Sequence, residues 1–208
     1  MSNTLMKNEW DIVRKFEEEI AEFAGSKYAV AVESCTFALF ICCKYLFMNN
    51  PFTETPVIHL PKHTYPGVPC SIIHARGRVV FEDREWRGAY QLQAYPIWDS
   101  AKRFAPSMYV RDSFYCLSFH AKKRIPIGRG GMILLNDKDA YDWFRVAVRD
   151  GKHEVPLHQD KFNILGWNAY MTPEQAARGL QLFHACGCFD DLTEEPDYPD
   201  LSQFEVYK

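Results

Sequence analysis

The sequence predicts an α/β domain, three layers deep, with helices on both faces of a mostly parallel sheet. Short apolar runs of strand length alternate with longer stretches whose apolar residues recur at helical spacing. Several of those runs end in reactive polar residues, where α/β sheets place their ligands. These are Ser34 to Thr36, Asp99, and Ser118 to Lys123.

The elements follow in order. Asn8 to Phe23 spaces Val13, Phe16, Ile20 and Phe23 as one helical face, and Gly25 is its stop. Tyr28 to Val32 is a buried strand, and Phe37 to Phe47 is a helical stretch. Val57 to Leu60 and Val79 to Phe81 are strands around a helix in Tyr65 to His74. Leu92 to Trp98 is a further apolar run ending at Asp99, and Tyr115 to Phe119 runs up to His120. Met132 to Leu135 follows a glycine-rich turn, and Asp137 caps a helix that runs to Arg149 with Gly151 as its stop. Thr172 and Pro173 open a last helix. Residues 1–188 are expected to form the domain, and residues 189–208 an extended acidic tail.

Composition narrows the function. The 208 residues are 47% hydrophobic and 25% charged, the values of an ordinary globular protein. A net charge of -3 without a long basic run gives nucleic acid no electrostatic foothold. Seven cysteines, an odd number mostly in apolar stretches, point to reduced thiols and a cytoplasmic location. The N-terminus has no apolar leader core, and Lys44 interrupts the longest apolar run, so no membrane partner is expected. His184-Ala185-Cys186-Gly187-Cys188 is one close cluster without a second pair, too little to predict a metal. Gly128 to Gly131 lacks the Lys-Ser/Thr of a nucleotide-binding P-loop.

Five segments carry the chemistry. Ser34-Cys35-Thr36 enters a helix, and a helix N-terminus suits a phosphate because its N–H groups and dipole face it. Tyr65 follows His63-Thr64, and Asp99 opens Asp99-Ser100-Ala101-Lys102-Arg103. Ser118 to Gly131 holds Lys122, Lys123, Gly130 and Gly131; Leu165 to Ala177 holds Asn168. Taken singly, each has a plainer reading: a helix cap, a core tyrosine, a solvated basic turn.

In this order the five segments resemble the DegT/DnrJ/EryC1/StrS family of pyridoxal-phosphate (PLP) aminotransferases, which act mainly on nucleotide-linked sugars. Ser118-Phe119 through Gly130-Gly131 is similar to the family's S-F-x-x-x-K-x-x-x-x-G-E-G-G, with Lys123 on the lysine and Arg129 on the Glu. Trp98 to Arg103 is similar to E-D-A-A-Q-A, and Val32 to Leu39 holds a stretch similar to S-G-T-A-A-L, with Cys35 on the Gly. Glu18 to Val32 also fits the family's N-terminal pattern, so the resemblance spans about residues 9 to 183.

The resemblance implies a reduced large domain of the aspartate aminotransferase-like fold, fold type I. It implies that Lys123 carries PLP as a Schiff base and that Asp99 pairs with the pyridinium nitrogen. Ser34, Cys35, Thr36 and Ser118 would hold the phosphate, Tyr65 would stack on the ring, and Lys102 would lie near the phenolic oxygen. Asn168 would reach the partner's phosphate in a homodimer. The expected reaction moves an amino group from an amino acid to a keto-sugar or similar carbonyl compound.

Set against the family pattern, the sequence is expected to be without a strand–helix stretch between Phe81 and Asp99 and without a C-terminal small domain after about Phe183. The pocket is then either more open or closed by the tail or a partner chain. A PLP enzyme with another reaction or a bulkier substrate, and a non-catalytic binding subunit, are the alternatives.

Overall fold

A computed structural model describes residues 8, 10–49, 54–186 and 197–207. Helix α1 (Asp11–Ala24) buries Val13, Phe16 and Ile20. It ends at Gly25, whose positive φ lets its N–H reach back to the Ala21 carbonyl. Then come β1 (Tyr28–Val32), α2 (Cys35–Met48), β2 (Val57–Pro61), α3 (Gly67–His74) and β3 (Arg78–Glu82). After them are β4 (Tyr90–Leu92), β5 (Ile97–Asp99), β6 (Phe114–Ser118), β7 (Gly131–Leu135), α4 (Lys138–Ala147) and α5 (Pro173–Ala185). Asp137 caps α4 through its side chain. Thr172 and Gln175 close a capping box at the start of α5.

The main sheet has the order β1-β7-β6-β5-β4, and β2-β3 form a second parallel pair. A bridge from His59 to Gln93 joins the two. Following the pairings, β1, β2, β3, β5 and β6 share one direction, while β4 and β7 are reversed. The strands are thus mostly parallel in direction, but β7 and β4 make their own pairings antiparallel.

Alternation of side chains builds the three layers. Val30 and Val32 of β1, Phe114 and Cys116 of β6, and Ile133 and Leu135 of β7 face α2, α3 and α4. Their neighbours Ala29, Ala31, Tyr115, Leu117, Met132 and Leu134 face α1 and α5. Glu17 of α1 accepts from the Ala31 N–H at 2.7 Å and from Arg145 of α4 at 2.7 Å, tying both helices to β1.

Three expectations change. The run from Leu92 to Asp99 is two antiparallel strands with a four-residue turn, because so short a link cannot cross back to a parallel position. Helix α2 begins two residues earlier, at Cys35, with Ser34 as its cap. Cys35 therefore needs no left-handed backbone, the cost that a cysteine in a glycine's place would otherwise incur. Within the acidic segment, 189–196 lies outside the described residues, as does Cys188. Residues 197–207 form two 3-10 turns that pack on the body, with Leu201 only 2% exposed.

Candidate active site

Strands β1, β5 and β6 deliver their carboxyl ends to one edge of the sheet, and a cavity of about 640 Å³ opens there. Its wall includes Ser34, Cys35, Thr36, Tyr65, Asp99, Lys102, Ser118 and Lys123. The structure therefore brings together eight of the nine sequence-derived site residues. Asn168 lies apart. It is exposed, and its amide donates to Asp150 Oδ2 at 3.0 Å.

Each position has a local cause. Ser34 stands two residues beyond the end of β1 and accepts from the Phe37 N–H, which starts α2 and aims its first-turn N–H groups at the cavity edge. Gly131 pairs with both Val32 and Ser118, so it lies beside the Ser34–Cys35 peptide. A Cβ there would stand 2.4 Å from the Ser34 carbonyl carbon, so only glycine fits. The loop from β6 to β7 carries Lys123. Ala121 N–H to Gly128 O (3.2 Å) and Lys123 N–H to His120 O (2.8 Å) shape it, and Ile125 and Ile127 pin it to the core. Those anchors leave Lys123 half-buried in the cavity wall and Lys122 exposed.

Asp99 is buried at the base. It accepts from the Ala101 N–H at 2.9 Å and the Tyr90 hydroxyl at 3.2 Å; Cys35 Sγ lies 3.9 Å away. The Tyr90 hydroxyl also bonds Thr64, giving a chain Thr64–Tyr90–Asp99. Burial pushes the Asp99 carboxyl above the usual carboxylate range; its N–H and hydroxyl donors and the Lys123 charge oppose this without cancelling it. Burial and the Asp99 charge likewise push the Cys35 thiol and the Tyr90 phenol well up.

Two substitutions relative to the family pattern find partners. Arg129 Nη2 bonds Glu33 Oε2 at 2.8 Å on the rim. Lys102 Nζ sits 5.3 Å over the ring of Tyr198. Sequence reasoning missed Tyr90, Trp86 and Tyr198. Tyr90 holds Asp99, and the other two line the cavity.

The fold and this edge-of-sheet cavity define a PLP-transferase large domain of fold type I. The chain belongs to the DegT/DnrJ/EryC1/StrS aminotransferase family, whose profile matches residues 2–91 and 110–187. The family is PLP-dependent. The interruption at 92–109 contains Asp99 and Lys102, yet the end of β5 and the turn after it still place both at the cavity. The spore coat polysaccharide biosynthesis protein SpsC of Bacillus subtilis (strain 168) is 44% identical over 233 aligned positions, covering 86% of this chain and 57% of that protein. AtS13 from Actinomadura melliaura superposes with a TM-score of 0.71 at 17% identity, over 84% of this chain and 60% of that one. The PLP form of the sugar aminotransferase homologue Spr1654 from Streptococcus pneumoniae gives 0.68 at 15% identity, over 84% and 59%. The chain thus spans less than two thirds of the length of these relatives. Among the described residues no helix is long and apolar enough to cross a membrane.

Proposed function

We propose that this chain binds PLP through Lys123 and transfers an amino group from an amino acid to a keto-sugar, in nucleotide-linked form. The observation that carries the reading is the convergence of Lys123, Asp99, Tyr65 and the Ser34–Thr36 helix start on one cavity. Its volume lies within the roughly 300–1,000 Å³ usual for small-molecule sites.

The residues fit the cofactor by their chemistry. The start of α2 and the hydroxyls of Ser34, Thr36 and Ser118 suit a phosphate. Asp99 suits a protonated ring nitrogen, and Tyr65, 54% exposed, offers a ring face. When bound, PLP supplies an electron sink for the bond broken at the amino acid's α-carbon. Lys123 would hold the cofactor covalently, and its amine would move the proton at the donor's α-carbon. Asp99 would keep the ring nitrogen charged.

The working form is a homodimer in which Asn168 serves the neighbouring site. Supporting this, Asn168 is exposed and not among the residues lining its own cavity, and nearby Leu165 is 92% exposed. The test is the visible spectrum after PLP is added and excess removed, with Lys123→Ala alongside. A yellow band in the wild type that borohydride bleaches while leaving the cofactor bound to the chain, and that is absent from the variant, is the expected result. Equal turnover with Lys123→Ala would refute the reading. If the band forms and no amino donor discharges it, the chain is a PLP protein with another reaction.

A further inference from the structure

We infer that Tyr198 is a cofactor-contacting residue of this cavity, brought there by a segment beyond the matched family residues; the inference rests on the PLP reading above. The family profile ends at residue 187, and nothing in the five motifs assigns a role to 197–207.

The segment is tied down beside Tyr65. The Tyr198 carbonyl accepts from His63 Nδ1 at 2.9 Å, so that nitrogen carries the proton. The Leu201 N–H donates to the Lys62 carbonyl at 2.9 Å. Asp200 bridges to His63, lies 3.8 Å from Lys62 Nζ, and caps the turn that follows it. Leu201 is buried. Trp86 donates from Nε1 to the His63 carbonyl at 2.8 Å, holding the same strand end from the other side.

These anchors aim the Tyr198 ring into the site. It lies 6.2 Å from Tyr65 at 63° and 6.4 Å from Trp86 at 13°, and Lys102 sits over its face. Tyr198 lines the PLP cavity, and it also lines a second cavity of about 670 Å³ that shares Lys102, Ser118 and Lys123. It therefore stands, with Lys102, Ser118 and Lys123, where the two cavities adjoin. Burial pushes its phenol up, and Asp99 is the leading charge that adds to this.

Tyr198 is a wall and not a plug: the cavity keeps about 640 Å³ with Tyr198 in place, and Asp99, Lys123 and Ser34 all remain on its surface.

The experiment is a PLP titration of the full chain by visible absorbance. It compares wild type with Tyr198→Phe, Tyr198→Ala, Leu201→Asp and Lys123→Ala, with hydrogen exchange of 197–207 followed in parallel. Loss of one aromatic contact weakens binding about tenfold. Tyr198→Ala is expected to raise the Kd by that factor, and Tyr198→Phe to leave it within about twofold of wild type. Leu201→Asp, which undocks the segment without touching Tyr198, is expected to match Tyr198→Ala. PLP should slow exchange across 197–202 in the wild type. A Kd unchanged in Tyr198→Ala overturns the inference, and a lower Kd overturns it by showing a plug. If Lys123→Ala loses the band while the Tyr198 variants match wild type, only this inference falls. If wild type shows no band, both readings fall.

Discussion

Replacing Gly131 by Ala tests the fold and the site in one residue. The added Cβ would lie 2.4 Å from the Ser34 carbonyl carbon, 2.5 Å from the Cys35 nitrogen and 2.6 Å from the Ser34 oxygen. Ordinary contact begins at 3.4 Å, so the backbones must part by about 1 Å. No side chain can rotate away, because every obstacle is main chain. The strand cannot slide either, since Gly131 pairs with Val32 on one side and Ser118 on the other. Overpacking costs about 1–3 kcal/mol in general, and a backbone obstacle puts this site at the upper end. For a chain of this size about 3 kcal/mol lowers the Tm by roughly 6–12 °C. The displaced peptide is also the one that starts α2, so PLP affinity should fall with stability. Urea denaturation followed by tryptophan fluorescence, together with PLP titration, measures both. A variant within about 0.5 kcal/mol of wild type and with unchanged PLP affinity would refute the close approach of β7 to that turn.

Two further predictions follow from buried carboxylates. Asp99 has a raised pKa in the folded chain, so folding favours its protonated form. Its contribution is full below the ordinary value of 3.8 and is lost as pH rises through the raised one. Asp99→Asn should therefore gain stability relative to wild type between pH 4 and 7 without PLP, and bind PLP more weakly; a gap that narrows as pH rises would contradict this. Glu17→Gln removes a carboxylate that takes both 2.7 Å and 3.0 Å bonds from Arg145. Breaking a buried pair costs about 3–5 kcal/mol, but Glu154 still holds Arg145 at 2.8 Å, so about 2–3 kcal/mol is expected in urea denaturation. A loss under about 1 kcal/mol would show that the pair does not dock α1 on β1.

Much of this arrangement was legible in the chain, and the reason is locality. Tyr28–Val32, Val57–Pro61 and Gly131–Leu135 are apolar runs bounded by polar residues, and their strands lie within a residue of the expected limits. Ser34, Asp99, Ser118 and Lys123 sit at or just after strand ends, so topology carries them to one edge. Trp86 and Tyr198 were illegible because each owes its place to a partner far along the sequence, and Tyr90 because its place depends on the unexpected reversal between β4 and β5. An isolated aromatic residue reads as core. Only the docking of 197–207 onto Lys62 and His63 brings Tyr198 to the cavity. The split between β4 and β5 did leave a trace, since Pro96 inside an apolar run argues against a single strand.

That split explains how a shortened connection keeps its aspartate. Strand β5 needs a neighbour on the side away from β6, and its apolar Ile97 must stay buried. A parallel neighbour would require a crossover of a dozen or more residues. The turn from Gln93 to Pro96 gives an antiparallel one instead, and β4 fills the gap between β5 and β2 through the His59–Gln93 bridge. Reversal fixes the register so that Tyr90 lies directly opposite Asp99, and residues opposite one another project on the same face. The Tyr90 hydroxyl then reaches both the Asp99 carboxylate and Thr64, the residue before Tyr65. The short link thus keeps the sheet closed and also supplies the donor that holds Asp99 in place.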